Sequence, residues 1–193
     1  MDAATEKIIL DRICDGDEAS FEALVRAHSA RVIGLAWRMV GNREDAEDIA
    51  QEAFIRLHRS LASFRGDSSI STWLYRTVTR LTIDHHRRQK LKRKIFFFRH
   101  ADAEYDPYEL AADPAASPGD QYLAGEAGHR LSRAVEKLSV QQRAVFNLRH
   151  HEDLPLKEIA AVLKLEEGTV KSHLHRAVCI LRKELKDLQG GLT

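Results

Sequence analysis

Residues 42–61, NREDAEDIAQEAFIRLHRSL, and residues 71–88, STWLYRTVTRLTIDHHRR, decide how the chain is read. In the first, Ala46, Ile49, Ala50, Ala53, Phe54, Leu57 and Leu61 recur at three- and four-residue intervals, which predicts a helix with one apolar stripe. Asn42 is placed as its N-cap, and Glu44, Asp45, Glu47 and Asp48 suit the positive end of the helix dipole. The remaining face carries Asp48, Gln51, Glu52 and Ile55. An isoleucine set among carboxylates suits docking against a basic protein surface. In the second stretch Leu74, Val78, Leu81 and His85 predict a narrow core stripe, with Ser71 or Thr72 as the cap after the breaker at Gly66 to Ser69. Trp73, Arg76, Arg80 and Arg87 fall on a neighbouring face. An aromatic ring beside guanidinium groups holds single-stranded nucleic acid, since bases stack on the ring and cations track the phosphates. Taken on this helix alone, a boundary core tryptophan beside a solvated arginine face is the simpler explanation.

Upstream, Thr5 to Asp15 and Glu18 to Met39 read as helices, the second with Phe21, Leu24, Val25, Val32, Leu35, Ala36 and Met39 on its apolar side and Gly41-Asn42 at its end. Downstream, charge is distributed in blocks. The 193 residues hold 30 Lys and Arg against 29 Asp and Glu, yet HHRRQKLKRKIFFFRH from His85 to His100 contains no acid. The following stretch to Gly128 contains Asp102, Glu104, Asp106, Glu109, Asp113, Asp120 and Glu126 and neither Lys nor Arg. Pro107, Pro114 and Pro118 with several alanines predict a flexible acidic linker there. Phe96, Phe97 and Phe98 cannot all face one core; they either anchor the last turn of the first domain or dock the second domain or a partner.

Helical periodicity returns at Tyr122. Leu131, Ala134, Val135 and Leu138 form one stripe, Ser139 to Gln142 a capping box, and Val145 and Phe146 the core side of the next helix. Pro155 suits a first helical turn. A short turn, Lys164 to Glu167, then separates Ile159, Ala160 and Leu163 from a helix over 168–188 with Val170, Leu174, Ala177, Leu181 and Leu185, the pattern of a helix-turn-helix. Only the first turns of such a second helix reach base edges in a major groove, which singles out Lys171, Ser172, His173, His175 and Arg176, with Arg182, Lys183 and Lys186 left in solvent. The expected fold is therefore all-α: a helical domain over 1–98, an acidic linker over 99–121 and a helix-turn-helix domain over 122–193.

The wording DAEDIAQEAFIRLHR, then FRG, then TWLYR with Asp84 and a basic run behind it, closely resembles region 2 of bacterial sigma-70 family sigma factors of the extracytoplasmic-function (group IV) type. EGTVKSHLHRAVCILRKEL resembles the promoter-reading helix of region 4, and Arg149 in NLRHHEDL falls where the family often has a DNA-contacting arginine. The resemblance implies an alternative sigma factor. Asp48, Gln51, Glu52 and Ile55 would then meet the beta-prime clamp helices of core RNA polymerase, with the beta flap as a second polymerase contact. Trp73, Arg76, Arg80 and Arg87 would act on the downstream promoter element and its melting, and Arg149, Lys171, Ser172, His173, His175 and Arg176 on the upstream element. It also implies an anti-sigma factor as partner, and an acidic connector that threads a polymerase channel. The chain departs from the family pattern at Lys164, where a helix-ending Gly is usual, at Glu166, where Pro is frequent, and at Arg80, where Asn commonly faces the single strand.

Other chemistries find little support. Cys14 and Cys179 form no CxxC pair and read as buried apolar residues. His85-His86, His150-His151 and the pair His173 and His175 diverge on a helix and have no carboxylate or thiol to complete a metal set, so neither metal nor cofactor is expected. Nucleophile elbow, phosphate loop and HExxH motifs are missing, which argues against an enzyme. No apolar run approaches a membrane span and no signal segment begins the chain, so a cytoplasmic location is expected. A stand-alone DNA-binding regulator using only the helix-turn-helix is the alternative reading; a catalytic or metal-sensing protein with a DNA-binding tail is a third.

Overall fold

The computed structural model describes residues 3–61, 64, 68–99, 131 and 133–186, and among these every regular element is a helix. α1 (Ala3–Cys14) leads into α2 (Glu18–Val40), which Asp17 caps by accepting a hydrogen bond from the Ser20 amide. Gly41 ends α2 at φ 85°, in the left-handed region that a glycine reaches without strain, and donates its N–H to Trp37 O at 2.8 Å. α3 (Arg43–Ser60) starts at Asn42, whose Oδ1 accepts from the Asp45 amide at 2.8 Å as expected of its N-cap. The second half holds α5 (Val140–His150), α6 (Leu156–Leu163) and α7 (Glu167–Glu184), preceded by a helical turn at 133–136. Both hydrogen bonds of the Ser139–Gln142 capping box are present.

The helix between these halves differs from expectation at both ends. α4 (Ile70–Arg99) is capped by Ser69, not by Ser71 or Thr72: the Thr72 amide donates to Ser69 Oγ at 3.1 Å, while the Glu6 carboxylate accepts from the Ile70 amide. It also runs past Arg88 through the whole basic block. Residues 87–99 contain neither Gly nor Pro and are rich in strong helix formers, so local propensity sustains them without a core to cover. Leu91 and Ile95 are accordingly 58% and 50% exposed. Phe96 is 41% exposed; the side chains of Phe97 and Phe98, and residues 100–130 with nearly all of the expected linker, lie outside the described residues.

Two helical halves are present, yet their apolar residues form one continuous cluster. Leu35 and Met39 of α2, Ala53 and Leu57 of α3, and Leu74 and Val78 of α4 are joined to Val145 and Leu148 of α5, Ile159 of α6 and Val170 of α7. Burying one such side chain stabilises by about 1.5 to 3 kcal/mol. α7 also closes a smaller cluster, Ala134, Leu138, Ala177 and Leu181. The halves meet where α5 lies against α2 and α4 and α6 lies against α4.

That seam is polar at its centre. Arg38 Nη2 lies 2.7 Å from Glu152 Oε1, and the Glu152 side chain is only 3% exposed. The same carboxylate acts on Tyr75: desolvation first, then the influence of Glu152, push its hydroxyl up to about 12. The Met39 carbonyl, at the last turn of α2, accepts from Arg143 Nη1 at 2.9 Å and pairs with His86 Nε2 at 2.8 Å. Arg143 Nη2 donates in turn to Glu136 O at 3.2 Å, the end of the helical turn before α5. One buried guanidinium thus sits at two helix C-termini, where the dipoles favour a cation. Gly34 makes room for the neighbouring cation, because a Cβ there would meet Arg38 Nη1 at 3.1 Å.

Candidate polymerase and nucleic-acid interfaces

The leftover face of α3 is open to solvent. Asp48 and Gln51 are exposed, Ile55 is 38% exposed, and Glu52 Oε1 takes a 2.7 Å bond from Arg56 one turn on. Gln51 and Ile55 also line a groove of about 480 Å³ between α2 and α3, whose other walls include Phe21, Val25, Ile33 and Phe54. Asp48 and Glu52 lie outside this lining, so the four residues divide into two acids beside the groove and an uncharged pair, Gln51 and Ile55, at its lip. The groove's α2 wall had no signal of its own in periodicity, because Phe21 and Val25 read as ordinary core positions of α2 and Ile33 falls outside its expected apolar side.

The α4 face is less open than its sequence predicts. Trp73 is half-buried and packs against the main apolar cluster; Arg76 is half-buried with an Nε that has no hydrogen-bond partner; Arg80 and Arg87 are exposed. The expected core stripe is also shifted. Leu74 and Val78 are buried, but Leu81 is only half-buried and His85 faces Asp45 of α3 at 3.2 Å. Instead Tyr75, Thr79 and Thr82 are buried, with His86 half-buried on the same side, a polar stripe at positions 75, 79, 82 and 86 that hydrophobic periodicity cannot register. Desolvation lowers the His86 pKa, countered by its bond to Met39 O.

On α7 the structure gathers four of the six upstream candidates. Lys171, Ser172, His175 and Arg176 line one shallow concave surface of about 410 Å³ on the first turns of the helix. Lys171 Nζ is 3.0 Å from Glu167 Oε1 and Ser172 Oγ donates to Gly168 O at 3.0 Å, contacts that orient both side chains on the helix surface. His173 is half-buried with an unpartnered, buried Nδ1 and does not join them; Arg149, exposed at the end of α5, donates to Leu154 O at 3.0 Å. The turn is built without the usual glycine: Lys164 itself adopts φ 54°, at a cost of about 1 to 2 kcal/mol, and lets its N–H reach Ala160 O.

Cys14 and Cys179 are both exposed, contrary to the expected burial. Cys14 turns to the Leu61 carbonyl at 3.8 Å, and Cys179 lies off the α7 core stripe, 3.7 Å from His175 Nε2. Among the described residues no group of three or more His, Cys, Asp or Glu is arranged to hold a metal ion, and no helix is long and apolar enough to cross a membrane.

Two helical halves, one with an acid-rimmed apolar groove and a cationic helix face, the other a helix-turn-helix with an open basic surface, define a protein that bridges another macromolecule and DNA. Residues 24–92 match the Sigma-70 region 2 family and residues 128–178 match Sigma-70 region 4. The chain is 34% identical over 183 residues to the ECF RNA polymerase sigma factor SigW of Bacillus subtilis (strain 168), covering 93% of this chain and 96% of that one. It is 32% identical over 180 residues to the RNA polymerase sigma-H factor of Pseudomonas aeruginosa, covering 93% of each. Its fold is similar to that of CnrH in complex with the cytosolic domain of CnrY, with a TM-score of 0.68 at 20% identity over 96% of this chain and 99% of that one. It is also similar to the sigma factor RpoE in complex with the anti-sigma factor NepR from Bartonella quintana, at TM-score 0.61 and 20% identity over 86% and 96%. The chain belongs to the ECF sigma factors of the sigma-70 family. It is an alternative sigma factor that works with core RNA polymerase to direct transcription initiation at promoter DNA.

Proposed function

We propose that this sigma factor divides its work among three surfaces. Core polymerase docks on Asp48, Gln51, Glu52 and Ile55, its apolar contact continuing into the groove between α2 and α3. The downstream promoter element is met by α4, with Arg80 and Arg87 on the phosphates and Trp73 and Arg76 at the opened bases. The upstream element is read by Lys171, Ser172, His175 and Arg176, with Arg149 and His173 at the margin. The domain limits that go with this division are 1–98, 99–121 and 122–193. The protein acts in the cytoplasm, catalyses nothing itself, and is held in check by an anti-sigma factor, in keeping with the RpoE–NepR complex whose fold it shares.

The observation that carries this division is the convergence of Lys171, Ser172, His175 and Arg176 on one open surface at the start of the second helix of a helix-turn-helix, the part that enters a major groove. The polymerase surface is tested with the double variant Asp48→Arg/Glu52→Arg. Exposed charge changes cost under about 0.5 kcal/mol of stability, so the variant should fold. Reversing two charges on a complementary interface should lower core affinity about tenfold or more in a competition assay against the unmodified protein. Unchanged affinity would remove this face from the polymerase interface.

A further inference from the structure

α4 leaves the fold before it ends. Every residue from Arg87 to Phe96 is exposed, on all sides of the helix, and Leu91 and Ile95 are among them. At about 100° per residue these two aliphatic side chains share one face. Arg88 and Lys92 lie on one flank of that stripe, Lys94 and, further round, Lys90 on the other, and Arg93 stands opposite. The run from His85 to His100 contains no acid, and among the described residues none of these five cations is paired with a carboxylate. An aliphatic stripe between uncompensated cations suits a helix lying in the headgroup layer of an anionic membrane. The aliphatic groups enter the acyl boundary, while the Lys and Arg stems carry their charges back to the lipid phosphates.

Other occupants leave part of this pattern unused. A nucleic-acid backbone takes the cations and has no use for exposed leucine and isoleucine. A second copy of the chain would set the same cations against themselves. An acidic protein helix needs a larger apolar face, because two aliphatic side chains fall well short of the roughly 800 Å² per partner of a stable interface. A lipid surface needs no such area: anionic headgroups gather on both flanks at once, and each cation strengthens binding about fivefold. We propose that the exposed end of α4 binds the surface of an anionic phospholipid bilayer, with Leu91 and Ile95 inserted and Arg88, Lys90, Lys92 and Lys94 on lipid phosphates. The helix lies on the bilayer, since no described helix is long and apolar enough to cross one. This site goes beyond the three surfaces proposed above and uses none of their residues.

The test is co-sedimentation of the full-length chain with vesicles of phosphatidylcholine containing about one-third phosphatidylglycerol, against vesicles of phosphatidylcholine alone. The parent should bind the anionic vesicles at least about tenfold more strongly, with a preference that falls as salt rises. Lys90→Gln/Lys92→Gln/Lys94→Gln should weaken that binding about a hundredfold. Leu91→Gln/Ile95→Gln keeps every charge and should weaken it about tenfold, since charge alone does not anchor a helix whose stripe cannot insert. All five positions are exposed and glutamine favours helix, so the urea midpoint and circular dichroism of both variants should match the parent. Run-off transcription by holoenzyme without vesicles should match as well, so failure here is distinguishable from failure of the three-surface reading. Equal binding to both kinds of vesicle would overturn the proposal. Undiminished vesicle binding by Leu91→Gln/Ile95→Gln would reduce the face to a general polyanion site and overturn it too. If that variant instead lost duplex DNA affinity, run-off activity or a self-associated mass in sedimentation equilibrium while vesicle binding held, the face would pass to nucleic acid, to polymerase or to a second copy, respectively.

Discussion

The two cationic faces of this sigma factor differ in one respect that their sequences conceal. On α7, Lys171, Ser172, His175 and Arg176 stand clear of the apolar core and share one open surface. On α4, Trp73 packs on the core and Arg76 is partly enclosed, leaving Arg80 and Arg87 in solvent. The difference arises because α4 lies at the junction of both halves, whereas on the leading turns of α7 only Val170 is buried and Lys171, Ser172, His175 and Arg176 are exposed. A helix with neighbours on several sides has few residues free for a ligand, so the face of α4 proposed to meet nucleic acid is also a structural face.

Trp73→Ala is the sharpest way to break this contrast. Truncating a fully buried tryptophan costs about 3 to 5 kcal/mol, so a half-buried one should cost about 2 kcal/mol of stability in a urea titration of the full-length chain. An unaltered midpoint would mean that the ring is a free stacking platform and that the two faces are alike.

Next in size, Arg176→Ala should leave stability within about 0.5 kcal/mol of the parent. It should flatten the preference of holoenzyme among single-base variants of the upstream element by about tenfold, the value of a bidentate arginine–guanine contact. Lys171→Ala should instead weaken all variants together and reduce the salt slope by about one. If Arg176→Ala preserved the ranking, base reading would pass to His175 or Arg149.

Lys164→Gly should stabilise the protein by about 1 kcal/mol, because glycine accepts φ 54° without the penalty carried by lysine. The same urea titration checks it, and a loss of stability would show that the lysine side chain contributes more than the strain it bears.

The smallest expected effect is a pH dependence of the seam. Burial lowers the pKa of His86, which faces Arg143, His85 and Arg93, and of His151, which faces Arg38, Glu152, His150 and Asp153. The folded state therefore binds fewer protons than the unfolded chain, in which these rings are hydrated. Their contribution to stability is fully present above the ordinary value of 6.5 and is lost as pH falls below it, through the depressed values of the folded state. The urea midpoint should fall on acidification from neutrality; a rise would reverse the assignment.

The helices, their caps at Asn42 and Ser139, and the helix-turn-helix were legible because each is set by local periodicity and local hydrogen bonds. The surface on α7 was legible for the same reason, since its four residues are exposed on successive turns of one helix. The seam was not. Tyr75, Thr79, Thr82 and His86 are polar, so a hydrophobic stripe could not reveal their burial, and Glu152 reads as one acid in a charged loop. Their partners lie across the chain, Arg38 and Glu152 being 114 positions apart. The extension of α4 to Arg99 escaped because a basic block reads as the edge of a domain, although its residues favour helix throughout.

Arg143 touches two helix ends that belong to different halves, and His86 shares one of those ends with it. The guanidinium is held by Glu136 O on its own side and by Met39 O on the other, and Met39 O is held in turn by both Arg143 and His86. Loss of the single bond between Arg143 Nη1 and Met39 O would still leave each of these helix ends one partner, so the joint between the halves is secured twice over at a single point.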